Sequence, residues 1–244
     1  MFSIILPMYN SETTISRVIL SVTNQTLTNW ELIIWDDCSN DNSFSIAQNH
    51  AKDDHRIRVG RNEINRGVGE TRNKALSLCK YPWVSFIDSD DIWDKTKLAR
   101  TKFDIKNNPN DSCFYHDYLD YKTKKLISGP AQVSHKHLKY YNPVGCFTVT
   151  VKRSLLGSDP FDSMRKRQDW QLWYSLSREG YMFRKSPGVL GEYGLLDTGK
   201  NISSNKFEML LINYRIFLIR GYGRMNSLYA IAVFLKMQLL KRVK

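Results

Sequence analysis

Three short apolar segments, each followed at once by polar residues, constrain the fold of this chain more than any other feature of its sequence. The segments are Phe2–Leu6, Glu31–Trp35 and Trp83–Ile87. Between them lie stretches whose apolar residues recur at helical spacing, of which Val68–Leu78 is one. Strand and helix in alternation, with short connections, are typical of right-handed crossovers and a largely parallel sheet. The sequence therefore predicts an α/β fold in which helices flank a mostly parallel sheet.

The polar residues that follow these segments are candidates for one shared site. They form three clusters, Pro7–Asn10, Asp36–Asp37 and Asp88–Asp91. In open parallel sheets, ligands bind beyond the carboxyl ends of the strands, so we expect the clusters to meet at one edge of the sheet. Three carboxylates within four residues of a buried strand end are unfavourable unless a cation or solvent compensates them.

The acidic cluster Asp88–Asp91 indicates a divalent cation. Mg²⁺ and Mn²⁺ prefer oxygen ligands, retain waters and share the phosphates of a nucleotide. Asp88 and Asp90 stand at alternate positions of a strand-to-loop turn, which suits one direct and one water-mediated contact. The alternative for an Asp-rich turn is a solvated cap of the helix that follows from Lys95. The order of the three clusters favours the metal, so we predict Asp88 and Asp90 as its ligands.

Two further stretches carry residues that suit a nucleotide. The carboxylate of Asp37 suits the N3–H group of a pyrimidine base, although the pair Asp36 and Asp37 is equally typical of helix capping at a turn. Gly67 and Gly69 let the backbone approach a ligand, and Arg72 can pair with a phosphate from the first turns of the next helix. The alternative for this stretch is a plain loop and helix start.

The helix that starts at Gln168 supplies the candidate general base. Asp169 lies next to two tryptophans, and a desolvated flank raises the pKa of a carboxylate toward values that suit a base. Aromatic faces stack on sugar rings, so Trp170 and Trp173 are the predicted contacts with an acceptor. The alternative is a carboxylate in the first turn of a helix, above two tryptophans of the core.

A surplus of positive charge narrows the range of partners. The 244 residues include 36 Lys and Arg against 24 Asp and Glu, a net charge of +12. Such a surplus favours nucleic acid, nucleotide phosphates or an anionic membrane surface. The acidic clusters at the strand ends would repel a polyanion, so we expect no nucleic acid partner. The four cysteines form no C-x-x-C pair, which argues against a zinc ribbon or a disulfide-rich scaffold.

Taken together, these motifs resemble family 2 glycosyltransferases. The resemblance covers roughly residues 2–180, and the set of motifs in this order is specific to the family, whereas any single motif is not. The matching stretches are Leu6–Asn10, Ser21–Thr26, Glu31–Asp41, Asn65–Asn73, Phe86–Asp91 and Gln168–Trp170. The resemblance implies a GT-A fold, with a Rossmann-like sheet, and an inverting transfer from a nucleotide-sugar donor.

The resemblance also implies roles for single residues. It makes Asp169 the general base that deprotonates the acceptor hydroxyl, and it makes Asp88 and Asp90 the ligands of a Mn²⁺ or Mg²⁺ ion that stabilises the departing diphosphate. The residues that it assigns to the nucleotide sugar are Pro7, Tyr9, Asp37, Asn65, Arg72 and Asp88. The sequence departs from the family at Gln168, where Glu is usual, and at Glu192–Asp197, which holds no histidine for a third metal ligand.

The analogy narrows toward short bacterial enzymes of O-antigen and capsule repeat-unit assembly, which share an Arg-Gln-Asp-Trp signature and a basic, apolar tail. It implies UDP-glucose or UDP-galactose as the donor and GlcNAc-diphospho-undecaprenol as the lipid-linked acceptor, at the cytoplasmic face of the inner membrane. A sugar nucleotidyltransferase is the alternative enzyme, although its Gly-rich loop after the first strand is replaced here by Met8–Ser11. A non-enzymatic polyanion-binding protein is the second alternative.

A shift in composition near residue 200 predicts two parts of the chain. Residues 1–200 are the predicted catalytic domain, with a nucleotide-sugar-binding half over 1–110 and an acceptor half over 111–200. Residues 201–244 are predicted as basic amphipathic helices, with eight basic residues and one acid from Lys206 onward. Their apolar runs are shorter than the roughly 20 residues of a membrane span, so we expect peripheral attachment to an anionic membrane. The alternative is that both helices pack on the catalytic domain.

Overall fold

The computed structural model describes residues 1–195 and 206–243, except for the side chains of 206, 207 and 237–243. Over these ranges the strands are β1 (Phe2–Met8), β2 (Trp30–Asp36), β3 (Ile57–Arg61), β4 (Trp83–Phe86), β5 (Ile92–Trp93), β6 (Cys113–Asp120), β7 (Leu126–Ile127), β8 (Gln132–Val133), β9 (Thr150–Lys152) and β10 (Phe183–Tyr193). The helices there are α1 (Ile15–Thr23), α2 (Ser43–Asp53), α3 (Val68–Ser77), α4 (Lys97–Asn107), α5 (His135–Leu138), α6 (Gln168–Arg178), α7 (Lys206–Ile219) and α8 (Arg224–Val243).

The strands form one sheet with a parallel half and a mixed half. Its order is β3–β2–β1–β4–β9–β6–β10–β5, and β7 and β8 pair with β6 and β10. β1 to β4 are all parallel to their neighbours within the first half. β9 then runs antiparallel to both β4 and β6, which reverses the strand direction. The α/β prediction is confirmed. The sheet is mixed beyond β4 because β9 runs in the direction opposite to both of its neighbours, β4 and β6.

Strand β1 runs through Pro7 to Met8, whereas the sequence predicts a strand that stops before the proline. The carbonyl of Ile5 accepts the N–H of Ile87, so the backbone polar groups of Ile5 point toward β4. Pro7 lies two positions further along the strand, so its backbone points the same way. Pro7 has no N–H to donate, and the pairing of β1 with β4 ends at Ile5. The pairing of β1 with β2 continues to Met8. A proline is therefore tolerated in a central strand because one of its two neighbours has already ended.

The C-terminal helices pack on the rest of the molecule. Ile216 and Phe217 of α7 are fully buried, and the ring of Phe217 meets that of Trp170 in α6 edge-on at 5.9 Å. α8 packs on α7, and its side chains Ala230 and Phe234 are buried. For α7 the structure thus has the packing that the sequence left as an alternative. The predicted domain boundary at residue 200 lies outside the described residues.

None of the helices that the structure describes combines the length and the apolar content that a bilayer span requires.

Candidate active site

Hydrogen bonds join the loops that follow β1, β2 and β4. The N–H of Asn10 donates to Ser39 Oγ at 2.9 Å, and the N–H of Asn40 donates to Asn10 Oδ1 at 2.9 Å. The hydroxyl groups of Ser11 and Ser89 are 2.7 Å apart. The prediction that the three polar clusters meet at one edge of the sheet is confirmed, and these contacts hold them there.

The carboxylate of Asp37 is buried and organises the loop before α3. It accepts the backbone N–H groups of Arg66 and Gly67, both at 2.8 Å, and the side-chain amide of Asn62 at 2.9 Å. Asn65 is exposed and donates to the Asp37 carbonyl at 3.2 Å. Asp37 therefore fixes the loop that carries Asn65. Its contact with a pyrimidine base stays a prediction.

Two other residues assigned to the nucleotide sugar differ in accessibility. Pro7 is buried within β1, whereas Tyr9, two positions beyond it, is exposed. The side chain of Tyr9 is thus accessible to a ligand, whereas that of Pro7 is not. A direct contact of either residue with a nucleotide stays a prediction.

Like charges crowd the turn after β4. Arg72 Nη2 donates to Asp88 Oδ1 at 2.5 Å. Burial, and then the charge of Asp88, raise the pKa of Asp90 to about 6. Asp91 is fully buried, and its pKa is raised by burial and by both neighbouring carboxylates, while its Oδ1 accepts the N–H of Gly194 at 2.9 Å. The turn therefore concentrates negative charge that a cation would stabilise.

Asp88 and Asp90 fit a divalent cation by their chemistry. Mg²⁺ and Mn²⁺ are commonly held by one or two carboxylates, and waters and substrate phosphates complete the shell. The raised pKa of Asp90 reflects its burial and then the repulsion from Asp88, and a bound cation would stabilise the ionised carboxylate against both. Among the described residues no group of three or more His, Cys, Asp or Glu side chains is arranged so that it could hold a metal ion. Residues 196 and 197, part of the stretch without a histidine, lie outside them.

The candidate base also interacts with Arg72. Asp169 is half-buried in the first turn of α6, and the amide of Asn142 donates to its Oδ2 at 3.2 Å. Burial raises the pKa of Asp169, and the positive charges of Arg72 and then Arg167 oppose the increase. Burial alone would lower the pKa of Arg72, but Asp88 foremost, and also Asp169, raise it above its usual value. One guanidinium therefore interacts with both the strand-end carboxylates and the candidate base.

Helix α3 positions the segment that leads into α6. The side-chain amide of Asn73 pairs with both backbone groups of Phe161, at 2.7 Å to the carbonyl and 3.0 Å from the N–H. A Cβ at Gly69 would lie 2.6 Å from the carbonyl oxygen of Asp162. The missing side chain of Gly69 thus serves a close approach between two backbones. This contact holds the segment that precedes the helix of Asp169 close to α3.

The prediction that Trp170 and Trp173 contact an acceptor is wrong. Both side chains are fully buried. The indole N–H of Trp170 donates to the carbonyl of Leu138 at 2.8 Å, and the ring of Trp173 packs edge-on against Phe86 with 5.7 Å between the centroids. The alternative stated for the sequence, core tryptophans below a carboxylate, is the one that the structure has. The reason is that α5 and α7 cover Trp170, whereas Trp173 packs on Phe86 of β4 and Phe183 of β10.

Two residues that contact the first turn of α6, Asn142 and Arg220, could not be predicted from the sequence. Asn142, which donates to the carboxylate, stands in a loop without a recognisable pattern. Arg220, at the end of α7, reaches α6 across 49 positions of sequence. Arg167, whose charge also affects Asp169, has a partial signal in the Arg-Gln-Asp-Trp stretch.

The comparisons with known proteins agree with this geometry. The family model of glycosyl transferase family 2 matches residues 3–153. The chain therefore belongs to glycosyl transferase family 2, and it is a glycosyltransferase. This membership sets aside the sugar nucleotidyltransferase and the non-enzymatic binding protein as descriptions of its activity.

One relative and two solved structures are similar over most of the chain. The UDP-Glc:alpha-D-GlcNAc-diphosphoundecaprenol beta-1,3-glucosyltransferase WfgD of Escherichia coli is 35% identical over 214 residues, 85% of this chain and 81% of that protein. S. aureus TarS 1–349 in complex with UDP-GlcNAc superposes with a TM-score of 0.71 at 20% identity, over 96% of this chain and 71% of that one.

The second structure is the mannosyltransferase PcManGT from Pyrobaculum calidifontis in complex with GDP-Man and Mn²⁺. It superposes with a TM-score of 0.65 at 18% identity, over 81% of this chain and 58% of that one. At these identities, both structural likenesses show the fold alone. They confirm the predicted GT-A fold.

Proposed function

We propose that this chain is an inverting, metal-dependent hexosyltransferase. It moves glucose or galactose from a UDP-sugar to GlcNAc-diphospho-undecaprenol, in the assembly of O-antigen or capsular repeat units. The observation that carries the proposal is the shared guanidinium of Arg72, which bonds the strand-end carboxylate Asp88 and interacts with Asp169. The name of WfgD, which is 35% identical, supports the donor nucleotide, glucose as the sugar and the lipid-linked acceptor.

Asp169 accepts the proton of the acceptor hydroxyl. As that oxygen attacks the anomeric carbon, the bond from this carbon to the diphosphate oxygen breaks, and a single displacement inverts the configuration. The carboxylate must be ionised to act as a base, so Arg72 and Arg167 favour the active form against the effect of burial. The amide of Asn142 donates to Oδ2 of this carboxylate and so restricts its orientation.

The leaving nucleoside diphosphate needs its charge neutralised. Arg72 is a buried cation at the strand ends, and its planar guanidinium suits phosphate oxygens. Asp88 and Asp90 would hold Mn²⁺ or Mg²⁺, which when bound supplies charge stabilisation to the diphosphate without a proton. The Mn²⁺ complex of PcManGT shows that a protein of this fold takes such an ion.

The exposed face of α8 supports peripheral attachment at the cytoplasmic face of the inner membrane. Four apolar side chains recur on it at helical spacing, and they are Met225, Leu228, Tyr229 and Leu235, exposed by 79%, 56%, 64% and 42%. Arg224 and Lys236 are exposed on the same helix. Apolar residues with cationic neighbours suit an anionic lipid surface, which would hold the enzyme near a lipid-linked acceptor. That nucleic acid is no partner stays a prediction.

A donor screen tests the proposal. The full-length enzyme is incubated with Mn²⁺, a short-chain GlcNAc-diphosphate-lipid analogue and, in turn, the UDP forms of glucose, galactose and their N-acetyl derivatives. We expect release of UDP and a disaccharide product from UDP-glucose or UDP-galactose, with the inverted anomeric configuration by NMR. No product from any of the four donors would refute the proposed substrates.

The variant Asp169→Asn tests the base within the same assay. It keeps the shape of the side chain but takes no proton, and loss of a positioned base lowers kcat by about 10²–10⁴-fold. Asp159→Asn, an exposed position on the loop before α6, is the matched control. A kcat of Asp169→Asn close to that of the control would show that the base is elsewhere.

A further inference from the structure

Arg220, one residue beyond the end of α7, binds helix α6 and the end of helix α5 at the same time. Its guanidinium lies 3.7 Å from the ring centroid of Tyr174 and 4.6 Å from that of Trp170. Its Nε donates to Gln171 Oε1 at 2.7 Å, and its Nη1 donates to the carbonyl of Leu138 at 3.2 Å. One side chain of the C-terminal helices thus contacts two separate segments of the catalytic domain.

These two segments are the ones that hold the carboxylate of Asp169. Gln171 lies in the same first turn of α6, two positions after Asp169. Leu138 ends α5, and four positions later Asn142 donates to Asp169 Oδ2. Any movement of the α5 end relative to α6 therefore changes the distance between the amide of Asn142 and the carboxylate that it orients.

The chemistry of the contact requires an arginine. A planar guanidinium stacks on an aromatic ring with its face while its edge donates several hydrogen bonds, which an ammonium group does not do. Burial lowers the pKa of Arg220 to about 10, so the group stays a cation at neutral pH. The carbonyl of Leu138 also accepts the indole N–H of Trp170 at 2.8 Å, which brings both partners of Arg220 into one hydrogen-bonded unit.

We propose that Arg220 is a positioning residue for the general base. By holding the end of α5 against the first turn of α6, it keeps the amide of Asn142 within bonding distance of Asp169 and gives the carboxylate one orientation. The inference rests on the proposed function, because it takes Asp169 as the base. It makes the C-terminal helices a part of the catalytic apparatus.

Steady-state kinetics of Arg220 variants, with a soluble short-chain acceptor analogue, test the role. Arg220→Met keeps the length of the side chain and loses its charge and donors, and we expect kcat to fall about tenfold with an unchanged KM for the donor. Arg220→Lys keeps the charge alone, so we expect its kcat to lie between those of the wild type and Arg220→Met. Arg178→Gln, an exposed arginine at the other end of α6, is the control and stays at the wild-type kcat.

The pH profile separates positioning from a general structural effect. Loss of the Asn142 donor makes the carboxylate of Asp169 harder to ionise, so the acid limb of kcat moves to higher pH in Arg220→Met. A variant that is only less stable has less active enzyme but the same limb. A folded Arg220→Met with the wild-type kcat, or with a lowered kcat and an unmoved limb, would overturn the inference.

A double-mutant cycle covers the case in which Arg220→Met does not fold. Arg220→Lys is combined with Asn142→Ala: coupled effects on kcat support the role, and additive effects overturn it. Asp169→Asn separates the inference from the proposed function. An active Asp169→Asn refutes the base and with it the inference, whereas an inactive Asp169→Asn beside a fully active Arg220→Met refutes the positioning role alone.

Discussion

Arg72 donates to Asp88 at 2.5 Å, and the charge of the same guanidinium opposes the increase that burial causes in the pKa of Asp169. The side chain of Arg72 is buried, so solvent screens these interactions weakly. The strand-end carboxylates and the candidate base are therefore electrostatically connected through a single cation. A substitution at Arg72 should therefore affect both the strand-end carboxylates and the candidate base.

Replacing Arg72 with Met is expected to move the acid limb of the kcat profile to higher pH. Burial raises the pKa of Asp169 and Arg72 is the strongest opposing charge, so without it the carboxylate is protonated up to a higher pH. Activity that depends on the ionised base is then lost earlier as the pH falls. Arg100→Met, an exposed position on α4, serves as the control. An acid limb that coincides with the wild-type limb would contradict the connection.

Removal of the metal is expected to abolish transfer. EDTA should stop turnover and Mn²⁺ or Mg²⁺ should restore it, because the diphosphate leaving group needs a cation. Asp90→Asn should lower kcat by about 10²-fold or more and weaken Mn²⁺ binding in a calorimetric titration, while Asp53→Asn, exposed on α2, leaves both unchanged. Full turnover of a metal-stripped enzyme in EDTA would refute the metal.

Replacing Gly69 with Ala is expected to lower the free energy of unfolding by about 1–3 kcal/mol. The added Cβ would lie 2.6 Å from a backbone oxygen, so α3 and the segment before α6 must separate. Gly157→Ala is the matched control, since a Cβ there meets nothing within 4 Å. Urea unfolding of both variants makes the comparison. Equal stabilities would show that the two backbones adjust without strain.

Substitution on α8 is expected to weaken binding to anionic vesicles. Leu228→Ser with Tyr229→Ser removes two exposed apolar side chains, and burial of such a side chain contributes about 1.5–3 kcal/mol, so flotation with phosphatidylglycerol vesicles should fall more than tenfold. Leu126→Ser, an equally exposed leucine on β7, is the control. Wild-type protein that stays unbound at low salt would refute the attachment.

The edge of the sheet could be predicted because its signals are local. α6 begins at Gln168, as the sequence predicts, and β2 and β4 lie within one residue of their predicted limits. Apolar runs that end in polar clusters identify the strand ends, and parallel strands bring these ends together. Asp88, Asp90 and Asp169 were identified on this basis together with the family resemblance.

The surroundings of α6 could not be predicted, because they depend on contacts distant in sequence. An apolar face on α6 is equally compatible with an acceptor and with a covering helix, and only the path of α7 decides between them. Phe217 and Arg220, which cover Trp170, come about fifty residues later. Asp37 is a second example. From the sequence its carboxylate suits a pyrimidine base, but in the structure it accepts the backbone N–H groups of Arg66 and Gly67.

Pro7 stands where the hydrogen-bonded ladder between the parallel strands β1 and β4 has ended. The ladder between β1 and β4 ends at Ile5, and the loops beyond meet again where Ser11 and Thr14 form hydrogen bonds with Ser89. Pro7 faces β4 within this interval and offers it no hydrogen. Any other residue there would present a donor to β4 and let the ladder lengthen toward Ser11. The imino acid is thus a spacer, and it keeps open a gap that a continuous ladder would shut.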